Sequence, residues 1–113
     1  MLFRSAKLGL AKNAYSITFQ LRLGRDRWIE PYTEQRIREL AEAGVKNLAV
    51  VCPAFVADCL ETLEEIGIRL RDEWLSLGGS SLHLVPCVND HTLWVDGFAE
   101  HLKSYSNRQG SAA

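Results

Sequence analysis

The sequence lacks the features that mark secreted, membrane-spanning or nucleic-acid-binding proteins. Its three cysteines are an odd number and form no C-x-x-C pair, so no disulfide framework or paired-thiol site is indicated. No apolar run approaches the length that crosses a bilayer, and the first residues have no continuous signal-peptide core. A net charge of −1 gives no basic surface for nucleic acid. These absences predict a cytoplasmic protein with reduced thiols.

Common catalytic motifs are absent as well. The sequence contains no Gly-rich phosphate loop, no G-x-S-x-G elbow and no nucleophile triad. His83, His91 and His101 lack metal-ligand spacing, and His91 is expected to cap a helix. Three scattered cysteines cannot supply a four-thiolate cluster, so no haem or iron–sulfur cofactor is expected.

The 113 residues alternate between strand-like and helix-like segments. With 47% apolar and 24% charged residues, the chain has the composition of one small globular domain. Strands are predicted at residues 15–19, 47–52 and 82–85. Helices are predicted from an N-cap at Thr33 to Gly44, from about 57 to 77, and after residue 91. This order predicts an α/β fold, a three-layer α/β/α arrangement with a small parallel sheet of about three strands. The domain would cover residues 1–104, followed by a flexible tail at 105–113.

The segment that follows the second predicted strand carries a stripe of charge. Ligands bind at the carboxyl ends of parallel strands, here the loops 20–31, 53–58 and 86–91. The stripe comprises Asp58, Glu61, Glu65, Arg69 and Asp72, and it lies opposite a predicted buried set of Leu60, Leu63, Gly67, Leu70 and Trp74. Carboxylates at such an edge could accept protons or bind a cation. The alternative is a solvated acidic helix face in which Glu65 and Arg69 form an i,i+4 pair.

A second candidate segment is rich in arginine. Arg22, Arg25 and Arg27 surround Gly24 and Trp28 directly after the first predicted strand. The arginines could hold an anionic ligand while the tryptophan packs on an aromatic ring. The alternative is a surface loop that one tryptophan anchors to the core.

These same segments resemble the ferrochelatase family. A family segment similar to S-F-Q-S-R-x-G-R-x-P-W-x-x-P-Y-T corresponds here to TFQLRLGRDRWIEPYT, and one similar to P-x-F-x-x-D-C-x-E-T-L-E-E-I corresponds to PAFVADCLETLEEI. The later LVPCVND also matches in order and spacing. The resemblance covers roughly residues 6 to 103 and implies a truncated half of a ferrochelatase or chelatase-like fold.

By this resemblance the chain takes part in inserting ferrous iron into protoporphyrin IX, the last step of haem synthesis. The resemblance makes Glu61 the active-site glutamate, which acts in pyrrole deprotonation or iron handling. It also implies that Trp28, Phe55, Asp58 and Glu65 lie near the porphyrin. The substrates would be the porphyrin and ferrous iron, with at most transient membrane contact.

The family's S-x-H-G-x-P histidine and everything upstream of it have no counterpart in this sequence. Three hypotheses therefore stay open. The chain could be a ferrochelatase piece that needs a complementing partner, a small homodimeric chelatase, or a non-catalytic domain that binds porphyrin or a protein. An exposed sheet edge would favour self-association.

Overall fold

The computed structural model describes residues 6–20 and 29–110, and of residues 107–110 the backbone only. The chain divides into two compact units, Met1–Val45 and Lys46–Ala113. Each unit is described by itself.

The first unit is organised around helix α1, Thr33–Glu42. Ile37 provides its buried apolar side chain. The helix is followed by Gly44, whose φ of 81° is the left-handed conformation that glycine adopts without steric cost. Thr33 was predicted as the N-cap, but it is the first helical residue, and its hydroxyl donates to Thr18 Oγ1 at 2.9 Å. That prediction is wrong because the hydroxyl bonds to the preceding segment instead of to its own helix.

The strand predicted at residues 15–19 is not formed. Phe19 makes a single parallel bridge with Tyr32, in which its N–H donates to Pro31 O at 3.0 Å and its carbonyl accepts from Thr33 N at 3.2 Å. The β-branched and aromatic residues there favour an extended backbone, but strand propensity alone does not provide a paired neighbour. About three strands were expected, and the part of the chain that the structure describes contains two.

The second unit contains those two strands in a parallel sheet. Strand β1 is Asn47–Val51 and strand β2 is Ser81–Val85, paired in register from Asn47 with Ser81 to Val51 with Val85. The predicted α/β class with a small parallel sheet is therefore confirmed. Burial alternates along β1, with Leu48 and Val50 half-buried and the other residues of the strand exposed.

The segment between the strands is a π-helix that continues as an α-helix. The π-helix is Glu61–Leu70 and α2 is Arg71–Ser76. A regular α-helix was predicted, and the buried face therefore differs from the expected one: Leu60 and Leu63 are 73% and 54% exposed. The buried side chains are Thr62, Ile66, Leu70 and Trp74, at a constant spacing of four, so the prediction is confirmed for Leu70 and Trp74 and wrong for Leu60 and Leu63. A helix with i→i+5 bonds has a wider turn than the 3.6 residues of an α-helix, which keeps this spacing on one face.

Trp74 is the centre of the core of this unit. It is fully buried, and its indole Nε1 donates to Ser81 O at 2.9 Å, which joins α2 to the start of β2. Leu82 on β2 is also buried. The polypeptide returns from α2 through Gly78, whose φ is 88° and whose carbonyl accepts from Lys46 Nζ at 2.9 Å. These contacts fix the helix against the sheet and so position its first turn.

The last helix, α3, is Thr92–Gly110. His91 precedes it and accepts from Leu93 N through Nδ1 at 3.3 Å, in agreement with the predicted cap. The helix includes residues 105–110 of the predicted tail. Its large apolar side chains are exposed: Leu93, Trp94, Val95, Phe98, Leu102 and Tyr105. In the described part of the chain, no helix has the length and apolar character needed to span a bilayer.

Candidate functional site at the carboxyl edge of the sheet

The loops that follow β1 and β2 are joined by hydrogen bonds at the carboxyl edge of the sheet. Asp58 N donates to Asn89 Oδ1 at 2.8 Å, and Asn89 Nδ2 donates back to Asp58 Oδ2 at 2.8 Å. Asn89 N also donates to Val56 O at 2.9 Å, and Cys87 N lies 3.3 Å from both Asp58 carboxylate oxygens. We call the reciprocal Asp58–Asn89 pair the loop clamp.

The loop clamp holds the pKa of Asp58 below its usual value. The main cause is the hydrogen bond from the Asn89 side chain, supported by those from Cys87 and Thr62 and opposed by partial desolvation. Asp58 is therefore ionised at neutral pH, and three donors bind its two oxygens: Thr62 Oγ1, Asn89 Nδ2 and the N–H of Cys87, which is shared between both oxygens.

Thr62 connects the loop clamp to the π-helix. Its hydroxyl is fully buried and lies 3.0 Å from Asp58 Oδ1 and 3.1 Å from Cys59 O. The carboxylate is the stronger acceptor of its single proton because it is charged. The same hydroxyl accepts from Cys59 N at 2.9 Å. The start of the π-helix is therefore tied to both loops.

Glu61 is the first residue of the π-helix and is half-buried. Hydrogen bonds from the Cys59 side chain and from its own backbone N–H lower the pKa of its carboxyl group. Glu61 is consequently a carboxylate at neutral pH. Such a group, at the edge of a parallel sheet, can accept a proton or bind a borderline cation.

Glu65, four residues later, is part of an ion-pair group. Its Oε1 lies 3.4 Å from Arg69 Nη2, as the i,i+4 hypothesis predicted. Glu64 competes for the same guanidinium, with Oε1 2.8 Å from Arg69 Nε. Arg69 is 63% exposed, so these pairs contribute little to stability. They neutralise part of the acidic stripe.

The three cysteines are free thiols. Burial raises the pKa of Cys52, and the charge of Asp58 adds to the effect. Burial, with contributions from Asp58, raises the pKa of Cys87 to about 11. Both therefore stay protonated at neutral pH, and neither is a ready metal ligand. No set of three or more His, Cys, Asp or Glu side chains in the described residues forms a metal site.

Of the two aromatic residues predicted near the porphyrin, the structure describes Phe55 and not Trp28. Phe55 is half-buried in the turn after β1, where its N–H donates to Cys52 O at 3.1 Å. Trp28 and the three arginines beside it lie outside the described residues.

Sequence reasoning missed Asn89 and Thr62. Asn89 falls in the predicted loop 86–91, but residue type alone does not show which of the neighbouring polar side chains faces Asp58. Its φ of 47° is consistent with Asn, one of the few residues other than glycine that adopt the left-handed region. Thr62 is four residues after Asp58, a spacing that could have suggested their contact.

Comparisons with known proteins agree with this arrangement of motifs. The ferrochelatase family model matches residues 2–105. The chain is 60% identical over 94 residues to a ferrochelatase of Pseudomonas putida F1, which covers 83% of this chain and 28% of that protein. It is 62% identical over 89 residues to a ferrochelatase of Ectopseudomonas mendocina, an alignment that covers 79% of this chain and 26% of that protein. It is 56% identical over 94 residues to a ferrochelatase of Pseudomonas aeruginosa LESB58, an alignment that covers 83% of this chain and 28% of that protein.

The chain thus spans little more than a quarter of the length of these curated relatives. No solved structure matches it. The family match nevertheless extends over most of the sequence and includes Glu61, the π-helix and both loops of the sheet edge. The chain therefore belongs to the ferrochelatase family.

Proposed function

We propose that this chain provides one side of a ferrochelatase site, in which ferrous iron enters protoporphyrin IX to give haem. The observation that carries the proposal is the ionised Glu61 at the start of a π-helix, on the carboxyl edge of a parallel sheet, in a chain of this family. Iron is the substrate here and not a resident cofactor.

The chemistry of insertion requires a base. Each porphyrin loses two pyrrole protons as one Fe²⁺ binds to its four nitrogens. We propose that Glu61 accepts or relays these protons, or handles the incoming iron, because a carboxylate suits both tasks. Phe55 and Trp28 are proposed to contact the macrocycle, and Asp58 and Glu65 to lie along the same edge. We also propose a cytoplasmic location, with at most transient membrane contact.

The proposed site needs a second side, with the family histidine. None of the three histidines of this chain lies in the S-x-H-G-x-P motif that the family resemblance leads us to expect. We propose that a complementing ferrochelatase segment supplies that histidine. A homodimer would supply two copies of Glu61 and no such histidine, which makes it the weaker candidate.

The test is insertion of zinc or ferrous iron into a soluble porphyrin, followed by absorbance. The purified chain would be assayed alone and together with the complementing N-terminal portion of the Pseudomonas putida relative. Glu61→Gln is the test variant. Glu64→Gln is the matched control, because it removes the same charge from the same helix at a residue that pairs with Arg69.

We expect insertion with the complementing portion, at least about a hundredfold slower in Glu61→Gln, in line with the contribution of a general base. Glu64→Gln should insert at close to the wild-type rate. Equal rates in the two variants would refute the role of Glu61. Porphyrin binding without insertion would favour the alternative, a non-catalytic porphyrin-binding domain. The observation that favours this alternative is that the sequence contains no S-x-H-G-x-P motif. Insertion by the chain alone, together with a dimeric mass, would favour the homodimeric chelatase.

A further inference from the structure

We infer that Asp58 and Asn89 are positioning residues, whose loop clamp fixes the start of the π-helix and thereby the place of Glu61. This inference rests on the role proposed for Glu61. It assigns Asp58 a task different from contact with porphyrin, and it adds Asn89, which lies 28 residues after Glu61 in the sequence.

The first argument is the geometry of the loop clamp. Asp58 and Asn89 exchange two bonds of 2.8 Å each, one from the backbone N–H of Asp58 to Asn89 Oδ1 and one from Asn89 Nδ2 to Asp58 Oδ2. Asn89 Nδ2 also lies 3.2 Å from Cys87 O. Bonds that involve an ionised partner are about twice as strong as neutral ones. The two loops are therefore held as one unit at the edge of the sheet.

The second argument is the connection from the loop clamp to Glu61. Asp58 Oδ1 accepts from the buried Thr62 hydroxyl, which in turn accepts from Cys59 N. The amides of Thr62 and Leu63 both donate to Cys59 O, at 3.1 and 2.8 Å. Glu61 lies between these bonded residues, so its backbone is fixed on both sides.

The third argument is that both carboxylate oxygens of Asp58 already accept hydrogen bonds. Oδ1 accepts from Thr62 Oγ1, Oδ2 accepts from Asn89 Nδ2, and the N–H of Cys87 is shared between the two oxygens. Protonation of either oxygen would weaken these bonds, because a neutral carboxyl group is a weaker acceptor than a carboxylate. The left-handed backbone of Asn89, with φ of 47°, is also a conformation that persists where surrounding contacts maintain it.

The experiment uses the full chain in three test variants: Asp58→Asn, Asn89→Gly and the double variant. Asn89→Gly removes the side-chain amide of Asn89 and introduces glycine, which adopts the left-handed backbone conformation of this position without strain. Asp90→Asn, an exposed neighbour, is the matched control. Three quantities are measured for each: kcat and KM for zinc insertion with the complementing portion, hydrogen exchange at the Thr62 and Leu63 amides, and the midpoint of urea unfolding.

We expect each single variant to lower kcat by about ten- to a hundredfold with KM changed less than about twofold, because small misplacements of catalytic groups have effects of this size. The two amides should exchange at least about tenfold faster. The double variant should be no slower than the slower single variant, since residues that act through one contact are not additive. Asp90→Asn should match the wild type.

Two results would overturn the inference. In the first, Asn89→Gly leaves both kcat and amide exchange unchanged. In the second, the two single effects multiply in the double variant, which would mean that Asp58 acts independently of Asn89. If the wild type inserts no metal, the proposed function fails by itself. Positioning is then decided by amide exchange alone, where faster exchange supports it and unchanged exchange refutes it.

Discussion

Replacing Gly79 by alanine tests whether close packing against Trp74 fixes the helix on the sheet. Gly79 lies between α2 and β2, and its N–H donates to Trp74 O at 3.0 Å. A Cβ built on Gly79 would overlap Nε1 and Cε2 of Trp74 and lie 2.6 Å from Cδ1. The indole is fully buried and cannot move into solvent without opening the core. Its bond to Ser81 O would be lost in any such movement.

Two costs determine how much the Gly79→Ala substitution lowers the free energy of unfolding. Overpacking a well-packed core costs about 1–3 kcal/mol. A buried donor that loses its acceptor costs about 1–3 kcal/mol. Together they predict a decrease of about 2–6 kcal/mol in the free energy of unfolding, a large fraction of the roughly 5–15 kcal/mol of a typical domain.

Urea unfolding followed by far-UV circular dichroism measures this decrease. Gly97→Ala is the matched control, because it makes the same change within α3, where no atom lies within 4 Å of the new methyl group. It should stabilise the helix by up to about 1 kcal/mol, the helix-propensity difference between glycine and alanine. If Gly79→Ala unfolds at the wild-type urea concentration, Trp74 is not packed as described.

Two further predictions concern titration. Because the folded-state pKa of Asp58 lies below its unfolded value of about 3.9, its contribution to stability is present above that pH and is lost as the pH falls through the folded value. Asp58→Asn should therefore be less stable than the wild type at about pH 6, and the difference should shrink as the pH falls below about 3.9, as urea unfolding at a series of pH values can measure; a constant difference would contradict the assignment. In a variant whose only cysteine is Cys87, iodoacetamide at pH 8 should react about a hundredfold more slowly than with an unperturbed thiol, because a pKa of about 11 leaves few thiolates. Reaction at the rate of free cysteine, measured by mass spectrometry, would refute the burial of that thiol.

The π-helix shows where reading the sequence fails. Hydrophobic residues at spacings of three and four predicted an α-helix that buries Leu60 and Leu63, and both are exposed. Whether a helix forms i→i+4 or i→i+5 bonds depends on what packs against it. Here Thr62, Ile66, Leu70 and Trp74 form the buried face. A periodicity argument that assumes 3.6 residues per turn therefore selects the correct residues at the end of the segment, Leu70 and Trp74, and the wrong ones at its start.

The α/β class, β1 and β2 to within a residue, the Glu65–Arg69 pair and the family could all be predicted from the sequence, because these features depend on local pattern and on long motifs. Tertiary structure alone decided that residues 15–19 form no strand, that the acidic helix is a π-helix, and that Asp58 bonds to Asn89. The physical reason is that these three features depend on partners distant in the chain. Strand pairing, helix width and the choice of a hydrogen-bond partner are fixed by packing across such distances, which residue spacing does not record.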